Sequence, residues 1–385
     1  FGVAIGWCLA GFFLQAQEQK INARIERIKM EQGLSHNGVR CIFQDSSGMI
    51  WFGTENGLNR YDGNEYKIYL DKNLPAVQWV RTIAEDRSGN LWVGNNGGIK
   101  KLDKYNGNYV HYLHNPGDPN SLCSNEVTVI YPSVYQGAEY LWVGTEDGLS
   151  RMQLATNGSV TFKNYRHFTD GDPNQEGNYV QSLVELKGQD EISLWIGTVN
   201  GLFRIIFKDN GSESQGKNRG IKEINSETFD SIDDLKGCNV NVLCESTISE
   251  VPTLWVGTTT GLYRLTCPPG RKPLLKNYRH DPLREDSLSY DFITGIAEDP
   301  RLGIIWIATF GDGLDQFYPG SEVFFHFKNE PENLNSLSDS RLCALYIDHA
   351  GILWAGTYFN GVNKMIYGPD KLKFNSYRHD PGNSN

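Results

Sequence analysis

The sequence predicts an all-β fold, a seven-bladed β-propeller of four-stranded antiparallel blades. Three observations predict it: a tryptophan motif that recurs seven times, short β-type runs between the copies, and turn residues at matching places in each copy. The copies lie about 50 residues apart, a period typical of solenoids, propellers and repeat arrays. The recurring tryptophans are Trp51, Trp92, Trp142, Trp195, Trp255, Trp306 and Trp354.

Each copy contains the elements of one blade. An apolar residue, Trp, an apolar residue, Gly or Ala and usually Thr are followed by a short polar turn that ends in Gly. In the first copy, four β-type runs are separated by three turns. The first turn starts at Asp45 and contains Gly48, which suits an Asx turn, and the second ends in Asn56-Gly57, a strong hairpin signal. Both connections are therefore tight and antiparallel, as in a propeller blade.

One blade alone leaves its Trp uncovered, so the next blade has to pack against it. A helical solenoid is excluded, because no stretch after Met30 keeps an apolar period of 3.6, whereas β-branched and aromatic residues cluster in short runs. We therefore assign residues 34–385 to one closed propeller rather than to several domains.

Composition agrees with an ordered β-rich chain. Of the 385 residues, 12% are aromatic, 21% are charged and 41 are Gly. The formal net charge is −10, which argues against binding to a phosphate backbone. We expect no nucleic acid partner.

The N-terminal residues form two further segments. Residues 1–14 are apolar and are followed by polar residues with a small residue, Ala16, at a plausible cleavage point. We therefore predict that residues 1–16 are a truncated signal peptide and that the protein is exported and periplasmic. An uncleaved membrane anchor is the less favoured alternative. Residues 17–33 form an N-terminal segment in which 23–30 are expected to help close the ring against blade seven. The last residues, 373–385, also match an outer strand, so the sequence leaves open which segment takes the outermost position.

No motif indicates a metal, a cofactor or catalysis. The cysteines show no CxxC pair and no zinc-site spacing, and Cys238 and Cys244 lie too far apart in one extended run to bond. HExxH, G-x-S-x-G and P-loop motifs do not occur. The recurring Asp residues have a structural reason to stand in turns. We therefore predict no metal site, no cofactor and no catalytic residue.

Function in a propeller is expected where the repeats differ, on the face where loops converge. The turns between second and third strands open on that face, and those of blades six and seven carry one extra residue. They place Phe310 with Asp312 and Tyr358 with Asn360. Aromatic rings beside amides and carboxylates suit a sugar, whose CH face stacks while its hydroxyls need donors and acceptors. The alternative is that both rings simply pack on neighbouring turns.

Blades two and three supply the other candidate ligand-binding residues. Trp79 and Arg81, at the start of blade two, depart from the pattern of the other blades. Asn95 and Glu146 are polar residues at the second-to-third-strand turns of blades two and three. The polar, Pro-bearing connectors between blades share one spacing, which favours a structural role before a ligand-binding one.

The strings GLSHNGV (33–39), QDSSGMIWFGT (44–54) and GLNRYDG (57–63) resemble the two-component regulator propeller repeat. The resemblance implies the first propeller of the periplasmic sensor region of a hybrid two-component system. Such a sensor responds to an oligosaccharide and controls polysaccharide-utilisation genes. The full-length protein would also contain a second propeller, an inner-membrane anchor and a histidine kinase, and it would pair with a dimer partner. The fragment itself would therefore be non-catalytic, and it would be connected to the membrane only through the missing regions.

Two other functions stay open at this point. A secreted propeller enzyme acting on polysaccharide, a lyase or a glycosidase, would need convergent acid and base residues at the pore that do not recur from blade to blade. A pure interaction scaffold would use its rims to meet the second propeller or a partner subunit. In such a scaffold, the aromatic turns would contact the second propeller or a partner subunit instead of a sugar.

Overall fold

The structure is a computed structural model that describes residues 18–70, 79–135, 137–155, 158–166, 178–187, 191–208, 227–268 and 271–368. Within them the chain forms seven four-stranded antiparallel sheets. The predicted seven-bladed propeller is therefore confirmed. The predicted signal peptide and the segment 373–385 lie outside the described residues, and the domain boundaries stay predictions.

Consecutive strands form each of the first six blades. Blade one comprises β2 (Val39–Gln44), β3 (Ile50–Thr54), β4 (Gly57–Tyr61) and β5 (Tyr66–Tyr69), and blade two β6 (Val80–Glu85), β7 (Leu91–Asn95), β8 (Gly98–Leu102) and β9 (Tyr109–Tyr112). Blade three comprises β10 (Val127–Tyr135), β11 (Ala138–Thr145), β12 (Gly148–Leu154) and β13 (Val160–Tyr165), and blade four β14 (Val180–Lys187), β15 (Glu191–Thr198), β16 (Gly201–Lys208) and β17 (Glu227–Ser231). Blade five comprises β18 (Val240–Glu245), β19 (Thr253–Thr258), β20 (Gly261–Thr266) and β21 (Leu274–Tyr278), and blade six β22 (Ile293–Asp299), β23 (Ile304–Thr309), β24 (Leu314–Tyr318) and β25 (Val323–Phe327).

Blade seven is completed by the N-terminal segment. It comprises β26 (Leu342–Ile347), β27 (Leu353–Thr357), β28 (Val362–Tyr367) and, outermost, β1 (Ala23–Ile28). The register of β1 on β28 pairs Ile28 with Val362 and Ala23 with Tyr367. Arg27 strengthens the closure, because its guanidinium donates to the carbonyl oxygens of Asn333 and Ser336 in the connector that precedes blade seven. Short 3-10 helices occur at Met30–Gln32 and Asp233–Leu235.

The first strands of adjacent blades contact one another and form the inner ring. Each recurring tryptophan lies on a second strand and is at most 2% exposed. Trp51, for example, packs in one cluster with Val80 and Leu91 of blade two. The predicted requirement that the next blade covers each Trp is met in this way.

In six of the seven blades, the glycine two residues after the Trp permits this packing. A Cβ on Gly257 would lie 2.6 Å from Ile293 of blade six and 2.6 Å from Val242 of its own blade, and the glycines of the other blades are similarly crowded. Blade six has Ala308 instead of Gly, and its cross-strand partner is Gly295. Ala308 and Gly295 together carry a single methyl side chain, so little side-chain volume separates blade six from its neighbour.

In blades one, two and seven, an Asp side chain holds the turn between the first and second strands. Asp348 accepts the backbone N–H of Ile352 at 2.8 Å and, through its other carboxylate oxygen, the indole N–H of Trp354 at 2.8 Å. The same Asp–Trp bond occurs in blades one and two, at 2.9 and 2.8 Å. The recurring Asp is therefore a turn former that also satisfies a buried Trp, as its structural assignment predicted.

Blade six contains a buried ion pair that the repeat does not predict. Nδ1 of His326 lies 2.7 Å from Oδ1 of Asp315, which is fully buried, and Nε2 lies 2.9 Å from the carbonyl oxygen of Glu285. Both ring nitrogens thus face acceptors, an arrangement that only the protonated imidazole satisfies. The hydrogen bond to Asp315 accordingly raises the pKa of His326.

Substitution of Gly257 with Ala tests the close approach of blades. We expect Gly257→Ala to lower the free energy of unfolding by about 1–3 kcal/mol, because the new methyl group overpacks the contact with Val242 and Ile293. Gly320→Ala is the matched control, since its Cβ would meet nothing within 4 Å. Urea unfolding followed by tryptophan fluorescence measures both, and equal midpoints for the two variants would contradict the role of this glycine.

The pH dependence of stability tests the Asp315–His326 pair. Because the pKa of His326 is raised in the folded state, its contribution is fully present below the unfolded pKa and is lost as the pH rises through the folded pKa. The stability advantage of the wild type over His326→Gln should therefore be larger at about pH 5.5 than at about pH 8.5. Urea unfolding at both pH values measures it, and a difference that grows with pH would disprove the assignment.

Candidate functional site

Every first strand carries a β-bulge immediately after its first residue. The register on the second strand shifts there in each of the seven blades. A bulge leaves one residue outside the ladder and re-aims its side chain. The bulged residues are Arg40, Arg81, Thr128, Gln181, Asn241, Thr294 and Cys343.

Two further residues of each blade lie beside the bulge. In every blade except blade two, the residue that opens the turn between second and third strands donates its N–H to the carbonyl of the residue just before the first strand, for example Glu146 to Glu126 at 3.1 Å and Phe310 to Phe292 at 2.9 Å. We call these three residues of every blade, together, the mouth. The residues before the first strands are Gly38, Trp79, Glu126, Tyr179, Asn239, Phe292 and Arg341, and the turn residues are Glu55, Asn96, Glu146, Val199, Thr259, Phe310 and Tyr358.

Bulged residues of three blades link neighbouring blades. Each donates a side-chain hydrogen bond to the carbonyl of the first residue in the next blade's inner strand: Thr128 to Val180 at 2.6 Å, Asn241 to Ile293 at 2.9 Å and Thr294 to Leu342 at 2.8 Å. In blades one and two the same position holds arginine, whose side chain contacts mouth residues instead. The mouth therefore departs from the repeat most clearly at Arg40 and Arg81.

Phe292, Phe310, Tyr358, Arg40 and Trp79 form a continuous row across blades six, seven, one and two, which we call the aromatic arc. The rings of Phe292 and Phe310 lie 5.4 Å apart, and those of Phe310 and Tyr358 meet edge to face at 5.4 Å. The guanidinium of Arg40 lies 4.4 Å from the Tyr358 centroid and 5.7 Å from that of Trp79. Cation–π contacts of this kind hold the row together.

Polar groups border the arc at Arg40. Its Nε donates to Oε1 of Glu55 at 3.0 Å, and a second guanidinium nitrogen pairs with the same oxygen. A third nitrogen lies 3.9 Å from Sγ of Cys343. Burial raises the pKa of the Cys343 thiol to about 11, so at neutral pH this sulfur is protonated and inert as a nucleophile.

A second charged group lies next to the arc, in blades two and three. Arg81 donates to Oε1 of Glu146 at 2.8 Å and pairs with Oε2 of Glu126 at 3.4 Å. Burial raises the pKa of Glu126; Arg81 opposes this shift, and the carboxylate of Glu146 adds to it. Tyr179 of blade four adjoins the group, and burial raises the pKa of its phenol.

The structure brings together most of the residues that the sequence indicated. Phe310, Tyr358 and Trp79 lie in the aromatic arc, and Arg81 and Glu146 form an ion pair. Phe310 and Tyr358 do pack on each other, as the alternative interpretation stated, but both remain partly exposed at the mouth. Trp79 is 37% exposed.

Asp312 and Asn360 lie outside the arc, where they make structural contacts. Asp312 pairs with Lys328 at 2.5 Å, and Asn360 donates to Oδ2 of Asp339 at 3.0 Å. Arg341 also holds Asp339, at 3.0 and 3.1 Å. Both candidates therefore support the turns that present Phe310 and Tyr358.

Asn95 is buried within its turn rather than exposed at the mouth. Its side chain is 1% exposed and accepts the N–H of Gly97 at 2.8 Å. It occupies the place of the threonine that holds the same turn in other blades, as Thr54 does by donating to the carbonyl of Gly57 at 2.9 Å. Asn95 is thus a turn residue that a ligand at the mouth does not reach.

Sequence reasoning missed Arg40, Glu55, Phe292 and Glu126. The sequence did contain a signal for them. Phe292 and Glu126 stand directly before the first residue of a first strand, Arg40 directly after it, and Glu55 directly after the threonine of the Trp motif. Residue type varies widely at these positions, whereas flanking positions repeat. Among the described residues, no group of three or more His, Cys, Asp or Glu side chains could hold a metal ion, and no helix is long and apolar enough to cross a membrane.

Comparison with known proteins identifies the repeat. The two-component regulator propeller model matches residues 33–56 and 73–97. Histidine kinase P4 of Formosa agariphila is 31% identical over 119 residues, which cover 29% of this chain and 8% of that protein. The chain therefore matches only a small part of that kinase.

Solved structures share the fold. The extracellular domain of the putative hybrid two-component system BT3049 from B. thetaiotaomicron superposes with a TM-score of 0.66 at 23% identity, covering 90% of this chain and 42% of that one. The corresponding domain of BT4673 from the same organism gives 0.65 at 22% identity, covering 90% and 40%. This chain spans less than half the length of either domain. The predicted resemblance is confirmed: residues 33–56 and 73–97 of this seven-bladed propeller match the two-component regulator propeller model.

Proposed function

We propose that this chain is the non-catalytic, ligand-sensing propeller of a hybrid two-component sensor, and that it binds an oligosaccharide at the aromatic arc. The full protein would be periplasmic in its sensor region, anchored in the inner membrane, and would control genes for polysaccharide use. A second propeller and a dimer partner would receive the signal. The observation that carries the proposal is the aromatic arc, with its polar neighbours, at the mouth.

The arc has the chemistry that a sugar requires. Partly exposed rings at Phe310, Tyr358 and Trp79 offer apolar faces for the CH groups of a pyranose. The guanidinium of Arg40 and the carboxylate of Glu55 supply adjacent donors and acceptors for hydroxyl groups. Aromatic groups beside a few convergent polar groups are typical of small-molecule recognition.

The sensor role is supported by the relatives. The matching family model describes two-component regulators, the matching kinase is a histidine kinase, and the similar solved domains are extracellular parts of putative hybrid two-component systems. A non-catalytic role is supported by the way the carboxylates of the mouth are used. Glu55, Glu126 and Glu146 are each paired with an arginine.

Calorimetric titration of the purified protein with neutral and acidic oligosaccharides, with product analysis of the same samples, tests the proposal. We expect binding without turnover, and we expect Tyr358→Ala and Phe310→Ala each to weaken it at least about fivefold by removing a stacking surface. The matched control is Tyr105→Ala. Tyr105 is 97% exposed, lies in a turn between third and fourth strands, and should leave affinity unchanged.

Other outcomes would contradict the proposal in distinct ways. Turnover of an oligosaccharide would make the protein an enzyme. No heat of binding across the panel would favour the scaffold, in which the arc is a contact surface for another domain or subunit. Equal loss of affinity in Tyr105→Ala would move the binding site away from the arc.

A further inference from the structure

We infer that the mouth selects neutral oligosaccharides and rejects those that carry carboxylate or sulfate groups. The inference rests on the proposed function and narrows its ligand class. It follows from how the charged residues of the mouth are distributed and from the partners that they already have.

The charges at the mouth cancel. Its cationic residues are Arg40, Arg81 and Arg341, and its anionic residues are Glu55, Glu126 and Glu146. The buried carboxylate of Asp339, directly behind Arg341, adds one more negative charge. An acidic sugar approaching the mouth therefore meets no excess of positive charge, and the chain as a whole carries −10.

Each arginine of the mouth is engaged by a carboxylate of the protein. Arg40 is held by Glu55, and Arg81 by Glu146 and, at longer range, Glu126. Arg341 makes a two-point contact with Asp339, at 3.0 and 3.1 Å. Carboxylate and sulfate recognition depends on such paired donors being available. An acidic ligand would have to displace a protein carboxylate and leave it in a partly desolvated position, which is unfavourable.

The remaining part of the mouth has neutral groups that suit hydroxyls. In blades four, five and six, none of the mouth positions is a charged residue. These positions are Tyr179, Gln181, Val199, Asn239, Asn241, Thr259, Phe292, Thr294 and Phe310. Amides, hydroxyls and aromatic rings can bind an uncharged sugar without desolvating an ion. The ligand class that fits both halves of the mouth is a neutral oligosaccharide.

Matched pairs of ligands that differ only in charge test the inference. Tetrasaccharides of galacturonate, glucuronate and mannuronate are each compared, by calorimetric titration at low salt, with the methyl ester of the same tetrasaccharide. We expect the ester to be the tighter ligand of any pair that binds, by at least about tenfold, and the difference to shrink as salt screens the carboxylates of the mouth.

Variants that release an arginine provide the second readout. Glu126→Gln with Glu146→Gln frees Arg81, and Glu55→Gln, which frees Arg40, serves if the double variant fails to fold. Each should lower the preference for the ester at least about threefold, since a guanidinium becomes available to the acidic ligand. Glu65→Gln is the matched control, because it makes the same charge change at an exposed residue in a turn between third and fourth strands and should leave the preference unchanged.

The outcomes separate this inference from the proposed function. Equal or tighter binding of the acidic members would overturn neutral selection while the sensing site stands. If every tetrasaccharide, acidic and esterified, and every neutral oligosaccharide of the first panel fail to bind, the sensing site and neutral selection are overturned together. An unchanged preference in a folded Glu126→Gln, Glu146→Gln variant would show that the paired carboxylates do not set selectivity.

Discussion

The propeller depends on how closely the second strand of one blade approaches the first strand of the next. At the repeated glycine, even a single added carbon would lie 2.5 to 3.0 Å from a Val or Ile of the next blade. This contact allows each tryptophan to be buried between blades, and the Asp of the hairpin then satisfies the indole in blades one, two and seven. In blade six the motif glycine is replaced by Ala308, and the glycine lies instead on the paired first strand, at Gly295.

The same inner strands determine where the protein can vary. Because a bulge follows the first residue of every inner strand, one side chain per blade leaves the sheet at the same level. Packing does not fix the identity of that side chain. Some blades use it to link to the next blade, as Thr294 does with the carbonyl of Leu342. Arg40 instead contacts the rings of the aromatic arc and Glu55, and Arg81 pairs with Glu126 and Glu146, so one sector of the ring differs from the rest.

Sequence patterns predicted the fold well because its signals are local. The Trp motif, the Asp of the first turn and the Asn-Gly turns each act within a few residues, and the structure confirms the blades that they predicted. The site depended on contacts between blades, which sequence spacing does not encode. Arg40 meets Tyr358 only because blades one and seven are neighbours in the closed ring. The burial of Asn95 could not be predicted, because a polar residue in a turn has the same sequence pattern whether it faces solvent or holds its own backbone. The outermost strand of blade seven was ambiguous, since two segments had suitable sequences.

The closure of blade seven by β1 also affects the order in which the chain can fold. Ile28 pairs with Val362, so β1 is synthesised before its partner strand and before all of the first six blades. Six blades consist of consecutive strands and can form as each emerges, whereas β1 has to stay unpaired until β28 arrives. Contacts of such long sequence separation form slowly and leave an exposed strand edge in the meantime. The same pairing makes the finished ring cooperative, because the outermost strand of blade seven cannot leave without reopening the circle.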